Sequence, residues 1–395
     1  MIRTVSVRDF DAMAPHVPAW DRLACEAPQG LPTLFPAWVD AYLRRPEPSR
    51  ERWLCCFAYS GDQLVGVLPV EVAAHPRLGR RRPVLNTCGD LPSGDILLAP
   101  DCPGEALQAL LAEVGREEPE HLGLSFKAVR HNSPLREALR AAVPGYLPLQ
   151  GRRTSYWFLD VEGDFDAYLA GIRNLRSNLR RYRRKLEGRG EVTVEVRKGP
   201  AADGGFLPEF LALEASGWKG RSGGAILSRS DLPTFYSTLV KNFADQGRLE
   251  WHLMRLSGRV VAARLILKCG SSLVTLKSAF DEDFADCRLG TLLTAETLRE
   301  AFSRPEIVAV NTVSESDAYG FWHMPRDSYV DIHLVRLAGP PLLAYLPEVA
   351  TRSAYHAYVR PWIPAALRAS WRRFMRKGER PRRAADANDQ RKRSS

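Results

Sequence analysis

Two groups of residues in this chain have the types and spacing to bind an anion, and one lysine stands where a strand should be apolar. Between Ile172 and Arg189, the residues Arg173, Arg176, Arg180, Arg181, Arg183, Arg184, Lys185 and Arg189 give eight positive charges, opposed by Glu187 alone. Like charges four apart on a helix cost roughly a few tenths of a kcal/mol each, and Arg176, Arg180 and Arg184 follow one another at that spacing. Accepting such repulsion points to an anion nearby, whether phosphate, an acidic polymer or carboxylates elsewhere in the fold. An ordinary solvated face is the plainer alternative. The second group is Gly290 and Thr291, which open a helix directly after a strand and an acidic turn. Free amides and the positive end of the helix dipole at such a point favour a phosphate. The lysine is Lys277, which alternates with apolar neighbours and is expected to share a strand face with Thr275 and Ala279. A lysine in a central strand favours a site role.

The elements that must hold these residues follow from periodicity. Tyr168, Ile172, Leu175, Leu179, Tyr182 and Leu186 recur at spacings of four and three and predict one helix over Tyr168 to Arg189, stopped by Gly188 and Gly190 in left-handed conformation. Before it, a strand at Arg3 to Val7 and a helix near Asp9 to Ala27 lead to a hairpin, Trp53 to Tyr59 and Leu64 to Val72, turning at Ser60-Gly61-Asp62. After it, helices near Gly205 to Ser216 and Asp231 to Gln246 lead to a second hairpin, Leu249 to Leu256 and Arg259 to Lys268, turning at Ser257-Gly258. Laid over each other, the hairpins put Trp53 on Trp251 and Leu64-Val65-Gly66 on Val260-Val261-Ala262, which predicts an internal duplication. The second copy continues through a strand at Leu273 to Phe280, the turn Asp281-Glu282-Asp283, a helix striped by Leu292, Ala295, Leu298 and Phe302, a strand at Ile307 to Thr312, and a polar loop through Asp317 and Tyr319. The expected fold class is α/β in the mixed α+β sense, with lobes at 1–150 and 151–338 and a helical extension with a basic tail at 339–395.

Composition bounds the function. The chain has 395 residues, 45% of them hydrophobic, and a formal net charge of +10. Residues 172–189 carry +7 and residues 368–395 carry +8, so everything else sums to −5 and no general nucleic-acid-binding surface is expected. Residues Met1 to Pro15 contain no apolar run, no stretch of about twenty apolar residues follows, and seven irregularly spaced cysteines include the neighbours Cys55 and Cys56. These features predict a cytoplasmic chain with reduced thiols, no secretory signal and no membrane span. No HExxH, CxxC, GxSxG or Walker pattern occurs, so no metal is expected. The glycine-rich run Gly217 to Gly224 follows a helix and is expected to form a mobile loop over a site. Helices are expected at Ala344 to Val359 and Ile363 to Arg376, with disorder beyond Lys377. Trp362, Trp371 and Phe374 stand among Arg368, Arg372, Arg373 and Arg376, a mixture suited either to a helix on an anionic membrane, at the inner face, or to packing on the lobes.

The order hairpin, strand, turn, glycine at a helix start, further strand resembles the core of the GNAT acyltransferases. More specifically, the chain resembles the double-lobed FemAB and CelD-like branch. The likeness rests on Arg173-Asn174-Leu175-Arg176-Ser177-Asn178-Leu179-Arg180-Arg181, Glu214-Ala215-Ser216-Gly217-Trp218-Lys219-Gly220, Phe280-Asp281-Glu282-Asp283-Phe284 and Gly290-Thr291-Leu292-Leu293, and covers roughly Ala37 to Leu337. It departs from the usual donor loop at Cys287 and Leu292, so Gly290 alone is in register, and its late loop reads Tyr319-Gly320-Phe321-Trp322, lacking a lysine for which Lys219 or Lys277 would stand in.

The resemblance implies two tandem GNAT-like lobes, each a mixed, mostly antiparallel sheet flanked by helices, and an N-acyltransferase using acyl-CoA, such as acetyl-CoA, as co-substrate. Arg288, Leu289, Gly290 and Thr291 would hold the donor's pyrophosphate. Acylation of an amine needs a base for the ammonium, donors for the thioester carbonyl and an acid for the thiolate. Glu214 is the favoured base, with Asp281, Glu282 and Asp317 as rivals. Lys277 takes a site role and Tyr319 that of the acid, while Arg176, Arg180, Trp218, Lys219 and Asp317 would bind substrate. For each, the plain alternative is a surface, turn or core residue. The implied acceptor is an amine on a sugar or sugar-nucleotide used for envelope or exopolysaccharide synthesis. One rival reading takes aminoacyl-tRNA as donor, as in the Fem enzymes, with the arginines on RNA phosphate. Another is a non-catalytic scaffold that docks on anionic membrane or polymer.

Overall fold

A computed structural model describes residues 2–46, 52–88, 92–339 and 341–363. Alternating apolar side chains and Gly-bearing turns give strands β1 (Ile2–Val7), β2 (Trp53–Ser60), β3 (Gln63–His75), β4 (Gly79–Thr87), β5 (Leu97–Leu98), β6 (Gly123–Arg130) and β7 (Tyr146–Asp160). They continue as β8 (Val192–Lys198), β9 (Leu249–Leu256), β10 (Arg259–Cys269), β11 (Ser272–Phe280), β12 (Ala309–Asn311) and β13 (Arg326–Arg336). Among the described residues these thirteen strands form one sheet in the order β1-β2-β3-β4-β6-β13-β7-β12-β11-β10-β9-β8, with β5 beside β3.

The duplication is written into that order. In each half four strands run antiparallel, β1 to β4 and β8 to β11. A crossover helix, Pro103–Glu117 in the first half and Leu289–Phe302 in the second, then returns the chain to a parallel neighbour, β6 beside β4 and β12 beside β11. At the centre β13 lies between β6 and β7, and the end of β7 pairs with β12. The last strand among the described residues therefore completes the first half, and β7 completes the second. The halves also share one hydrophobic core. Trp38 meets Phe235 edge-on at 5.2 Å, and Arg248 of the second half holds Asp21 of the first at 2.5 and 2.6 Å.

Both parallel pairs are short, and the halves treat the resulting gap differently. β4 and β6 are in register only at Leu85↔Leu124 and Asn86↔Ser125, and the chain then fills the gap itself. Gly94 bridges Lys127, its amide donating to the Lys127 carbonyl at 2.7 Å, and the Ser93 hydroxyl donates to the Ala128 carbonyl at 2.8 Å. β11 and β12 are in register from Ser272↔Ala309 to Val274↔Asn311, and no strand bridges the gap beyond them among the described residues.

Three local expectations change. The helix expected from Tyr168 to Arg189 is two helices, Phe165–Ala170 and Leu175–Glu187, because the first closes at Gly171 and Asn174 takes a left-handed φ of 62° that no continuous helix tolerates. Gly188 ends the second helix at φ −65°, and of the two glycines only Gly190, at φ 153°, leaves the right-handed region. The register of β10 against β11 slips between Leu265 and Ile266, leaving Leu276 as an extra residue, so that Val274 and Ala279, five apart, enter the same core. Lys277 therefore shares its face with Ala279 and not with Thr275. The expected helix near Asp9 to Ala27 is interrupted at Ala14–His16, where Pro15 withholds an amide. The chain is helical from Pro341 to Trp362, and the segments expected after Ile363 lie outside the described residues.

Asp95, in the segment that fills the first gap, is fully buried, and its carboxylate accepts from the Ile96 amide at 2.8 Å, the Ser133 hydroxyl at 3.0 Å and the Gln29 amide at 3.4 Å. Burial outweighs these donors and pushes its pKa up to about 6. The folded chain thus holds this proton more tightly than the unfolded chain. The contribution to stability is complete below the unfolded value near 3.8 and is lost as pH rises to about 6, about 3 kcal/mol in order of magnitude. Asp95→Asn should abolish this slope and stabilise the protein at neutral pH, since the unpartnered Oε1 of Gln29 can turn to accept from the new amide. Urea unfolding of both proteins at pH 4.5 and 7 checks it, and equal slopes would refute the assignment.

Candidate active site

The Asp281 amide donates to the Val261 carbonyl on β10 at 2.8 Å. By the alternation of an antiparallel ladder, the carbonyls and amides of Ser278 and Phe280 then point away from β10, toward the gap beside β12. That edge must find other partners, and the helix Leu207–Ser216 with the turn after it supplies one. Lys219 Nζ donates to the Ser278 carbonyl at 2.7 Å and to Glu214 Oε1 at 3.0 Å, while Glu214 Oε2 accepts the Ile226 amide at 2.9 Å. Glu214 is 2% exposed, so both its oxygens are spent on these bonds. The turn is tight: a Cβ at Gly220 would lie 1.7 Å from the Ala215 carbonyl oxygen, which only glycine avoids. The run Gly217 to Gly224 is thus a short helix, Trp218–Arg221, and a turn, with the Gly224 amide returned to the Lys219 carbonyl at 2.7 Å.

Lys277 reaches the same place from the strand. Its ammonium lies 5.6 Å from the Tyr236 ring centroid. Burial lowers its pKa below the ordinary lysine value, with Lys219 and Arg229 acting in the same direction and Glu214 opposing them. Trp218 is exposed, and its amide donates to Glu282 Oε1 at 2.6 Å while Arg221 pairs with the other oxygen. These contacts hold the Glu282 carboxyl below its usual range, the Arg221 bond contributing most. Glu214, Trp218, Lys219, Ser278, Phe280 and Glu282 line a hollow of about 20 Å³.

Past the acidic turn, Arg288 stands at φ 52° immediately before the helix Leu289–Phe302, and no side chain caps that helix. The Thr291 and Leu292 amides return to the Arg288 carbonyl at 2.9 and 3.1 Å, whereas those of Leu289 and Gly290 have no acceptor among the described residues. A Cβ on Gly290 would meet nothing nearer than the Phe280 ring at 3.7 Å, so the protein leaves this helix start open. Further along the same helix, against Thr294 and Thr297, lies Arg264, which the sequence reading did not single out. At 3% exposure its guanidinium donates to the hydroxyls of Ser278 at 3.1 Å, Thr294 at 2.9 Å and Thr297 at 3.2 Å, and Thr294 in turn donates to the Gly290 carbonyl at 2.8 Å. A buried cation bonded to hydroxyls reinforces the positive end of the helix, and the two free amides supply donors, a set that fits a diphosphate. Its signal in the sequence was an arginine inside the apolar run Val260 to Leu267, the same kind of signal as Lys277.

The other expected residues divide. Leu289 is a core side chain, packed with Leu186, Met254 and Leu292, and can offer only its amide. Arg288 is exposed and Thr291 half-buried at the helix start. Asp281 is a turn residue, accepting the Asp283 amide at 3.0 Å and pairing with Arg259 at 2.8 Å. Asp317 is 95% exposed and held by Arg326 at 2.9 Å. Tyr319 packs on the cluster of Leu159, Leu273 and Leu298, on the sheet face opposite the one that Glu214 and Lys277 occupy. The basic helix lies beside the helix start through Leu179, Tyr182 and Leu186, but much of its charge is spent inside the protein. Arg176 pairs with Asp166 at 3.1 Å, Arg183 with Glu187 at 2.8 Å, and Lys185 and Arg189 with Asp286 at 2.7 and 2.6 Å. Arg173, Arg180 and Arg184 remain exposed, without a side-chain partner among the described residues.

Two larger hollows lie elsewhere. One of about 540 Å³ sits between the halves at the Ser272 end of β11, reached by His131 and Asp327, and one of about 580 Å³ lies against Ile2 and Ser60. The first is separated from the free amides by the length of β11, roughly 26 Å. Neither includes the unpaired edge, so chemistry rather than size assigns the candidate site to the small hollow. Among the described residues no group of His, Cys, Asp and Glu could hold a metal ion.

Residues 173–310 match the family model of the acetyltransferase (GNAT) domain. No curated protein matches the chain. Among solved structures it is similar to FemX, with a TM-score of 0.56 at 14% identity over 82% of this chain and 96% of that one. It is also similar to a conserved protein of unknown function from Bacteroides thetaiotaomicron, with a TM-score of 0.52 at 12% identity over 85% of this chain and 100% of that one. A tandem GNAT protein from the clavulanic acid biosynthesis pathway aligns at a TM-score of 0.45 and 15% identity, over 85% and 99% of the two chains. The chain has the double-lobed fold of the GNAT superfamily, and its second half carries a GNAT acyltransferase-like domain.

Glu214→Ala should lower stability by about 2–4 kcal/mol, because it leaves the Lys219 ammonium without its counter-charge and the buried Ile226 amide without an acceptor. Asp317→Ala, which removes an exposed side chain, should change it by less than about 0.5 kcal/mol. Denaturant titration of the two variants checks the contrast.

Proposed function

We propose that the second half transfers an acyl group from acyl-CoA to an amine. The observation that carries this reading is the pair of unaccepted amides, Leu289 and Gly290, at an open helix start beside an unpaired strand edge that bears two lysines. Bound acyl-CoA would supply the activated thioester. The Leu289 and Gly290 amides, backed by the buried charge of Arg264, would hold its diphosphate. Lys277, kept toward its neutral form by burial, takes a proton from the acceptor's ammonium at Nζ. Glu214 keeps the Lys219 ammonium on the Ser278 carbonyl, so that a fixed positive charge stands at the strand edge where negative charge develops. Trp218, exposed at the rim, contacts the acceptor. The acceptor is an amine on a sugar or sugar-nucleotide used in envelope or exopolysaccharide synthesis, and the reaction runs in the cytoplasm.

Gly290→Asp tests the donor site. A carboxylate at a helix start favours the helix but repels a diphosphate, so acetyl-CoA affinity should fall at least about tenfold with no loss of thermal stability. Titration calorimetry reads the first quantity and a melting curve the second; no heat from the wild-type protein at millimolar acetyl-CoA would remove CoA from the reading.

Lys277→Met tests the base. The wild-type rate should fall with decreasing pH through a pKa below the ordinary lysine value, and the variant should lack that limb. A variant whose pH profile matches the wild type would exclude Lys277 as proton acceptor.

A second donor is favoured by one observation: Arg180 and Arg184, one turn apart on the helix that packs beside the same helix start, are exposed, which suits the phosphates of an aminoacyl-tRNA. Retention of tRNA that falls steeply with salt, together with no response to acetyl-CoA, would favour it.

A further inference from the structure

The helical segment from Pro341 to Trp362 has one face spent and one unspent. Tyr345 and Val349 are buried against Leu122 and Val335, and Glu348 ties the segment to His75 at 3.2 Å. No residue of the five-residue turn Tyr355–Val359 is buried. Tyr355, Tyr358, Val359 and Trp362, within eight residues of one another, are all exposed to solvent. Tyr358 is 75% and Trp362 86% exposed, and Leu343, earlier in the same segment, is 84% exposed. Single exposed apolar residues need no explanation, but here two Tyr, a Val and a Trp are exposed together at the end of one helical segment.

The charge that follows selects the occupant. From residue 360 to the end, the sequence carries twelve Lys and Arg against three Asp and Glu, with Trp371 and Phe374 among them. A protein partner for an apolar helix face would usually be apolar itself, and twelve cations would be left outside it. A bilayer bearing anionic lipids satisfies both features, because Tyr and Trp rest at the headgroup level and each nearby cation adds attraction to the charged surface. No described helix is long and apolar enough to cross a membrane, so the contact is peripheral. We propose that the Tyr355 to Trp362 face docks this protein on an anionic bilayer, whatever reaction its second half performs.

The test is flotation of the full-length protein with vesicles of phosphatidylcholine alone and of phosphatidylcholine mixed with phosphatidylglycerol, comparing wild type with the double substitution Tyr358→Ser, Trp362→Ser. Both side chains are exposed, so the variant should keep its melting temperature. The wild type should float with the anionic vesicles only, and the variant should bind them at least about tenfold more weakly. Absence of flotation overturns the proposal, and so does equal flotation of the two proteins, which would assign membrane binding to the charged tail without this face. Light scattering that shows a wild-type dimer and a monomeric variant, without flotation, would give the face to a second copy of the chain.

Discussion

The rest of the candidate site depends on one unpaired strand edge. β12 contributes three residues to its parallel pairing with β11, so the last part of β11 turns its carbonyls and amides toward a gap. Backbone groups cannot be left dry, and each must be given a partner or kept open to a ligand. Lys219 takes one carbonyl, Glu214 fixes Lys219, and the glycine turn at Gly220 exists because its backbone passes within contact of Ala215. A few residues on, the helix start is left uncapped and open. The first half meets the same geometric problem and fills it with its own backbone at Gly94. The two halves thus have corresponding gaps, and among the described residues only the second stays unbridged.

Electrostatics follow the same division. The basic helix looked in sequence like a single anion-binding surface, but part of its charge is paired within the chain. Asp166, Glu187, Glu296 and Asp286 neutralise Arg176, Arg183, Lys185 and Arg189, and the two bonds to Asp286 tie the basic helix to the acidic segment that precedes the helix start. The charge free to meet a ligand is that of the exposed Arg180 and Arg184. Deeper in the protein, Arg264 places a cation against the second and third turns of the Leu289–Phe302 helix with hydroxyl partners only, which preserves its field. An arginine at the surface in the same role would be screened.

Much of the architecture was legible because its causes are local. The two hairpins announce themselves by alternation and by Ser-Gly turns, and their repetition foretold the symmetric strand order, which the sheet shows. The open helix start was legible too, since Gly290 follows a strand and an acidic turn. What escaped had distant causes. Asn174 breaks the basic helix although the apolar period runs through it unchanged. The extra residue at Leu276, which moves Lys277 away from Thr275, is set by the pairing with β10. Arg264 escaped because a lone arginine in an apolar strand does not reveal which hydroxyls will surround it.

By itself, then, the sequence determined the kinds of elements, their doubled order and the residues able to do acid-base or anion chemistry, since these depend on period, turn propensity and side-chain type within a few positions. The tertiary structure alone decided that Lys219 reaches across 59 positions to Ser278, that Asp281 serves its turn, that Tyr319 falls on the far face, and that one gap is filled while its twin stays open. Those outcomes depend on which strand lies beside which. That is fixed by packing over the whole chain, and no local stretch encodes it.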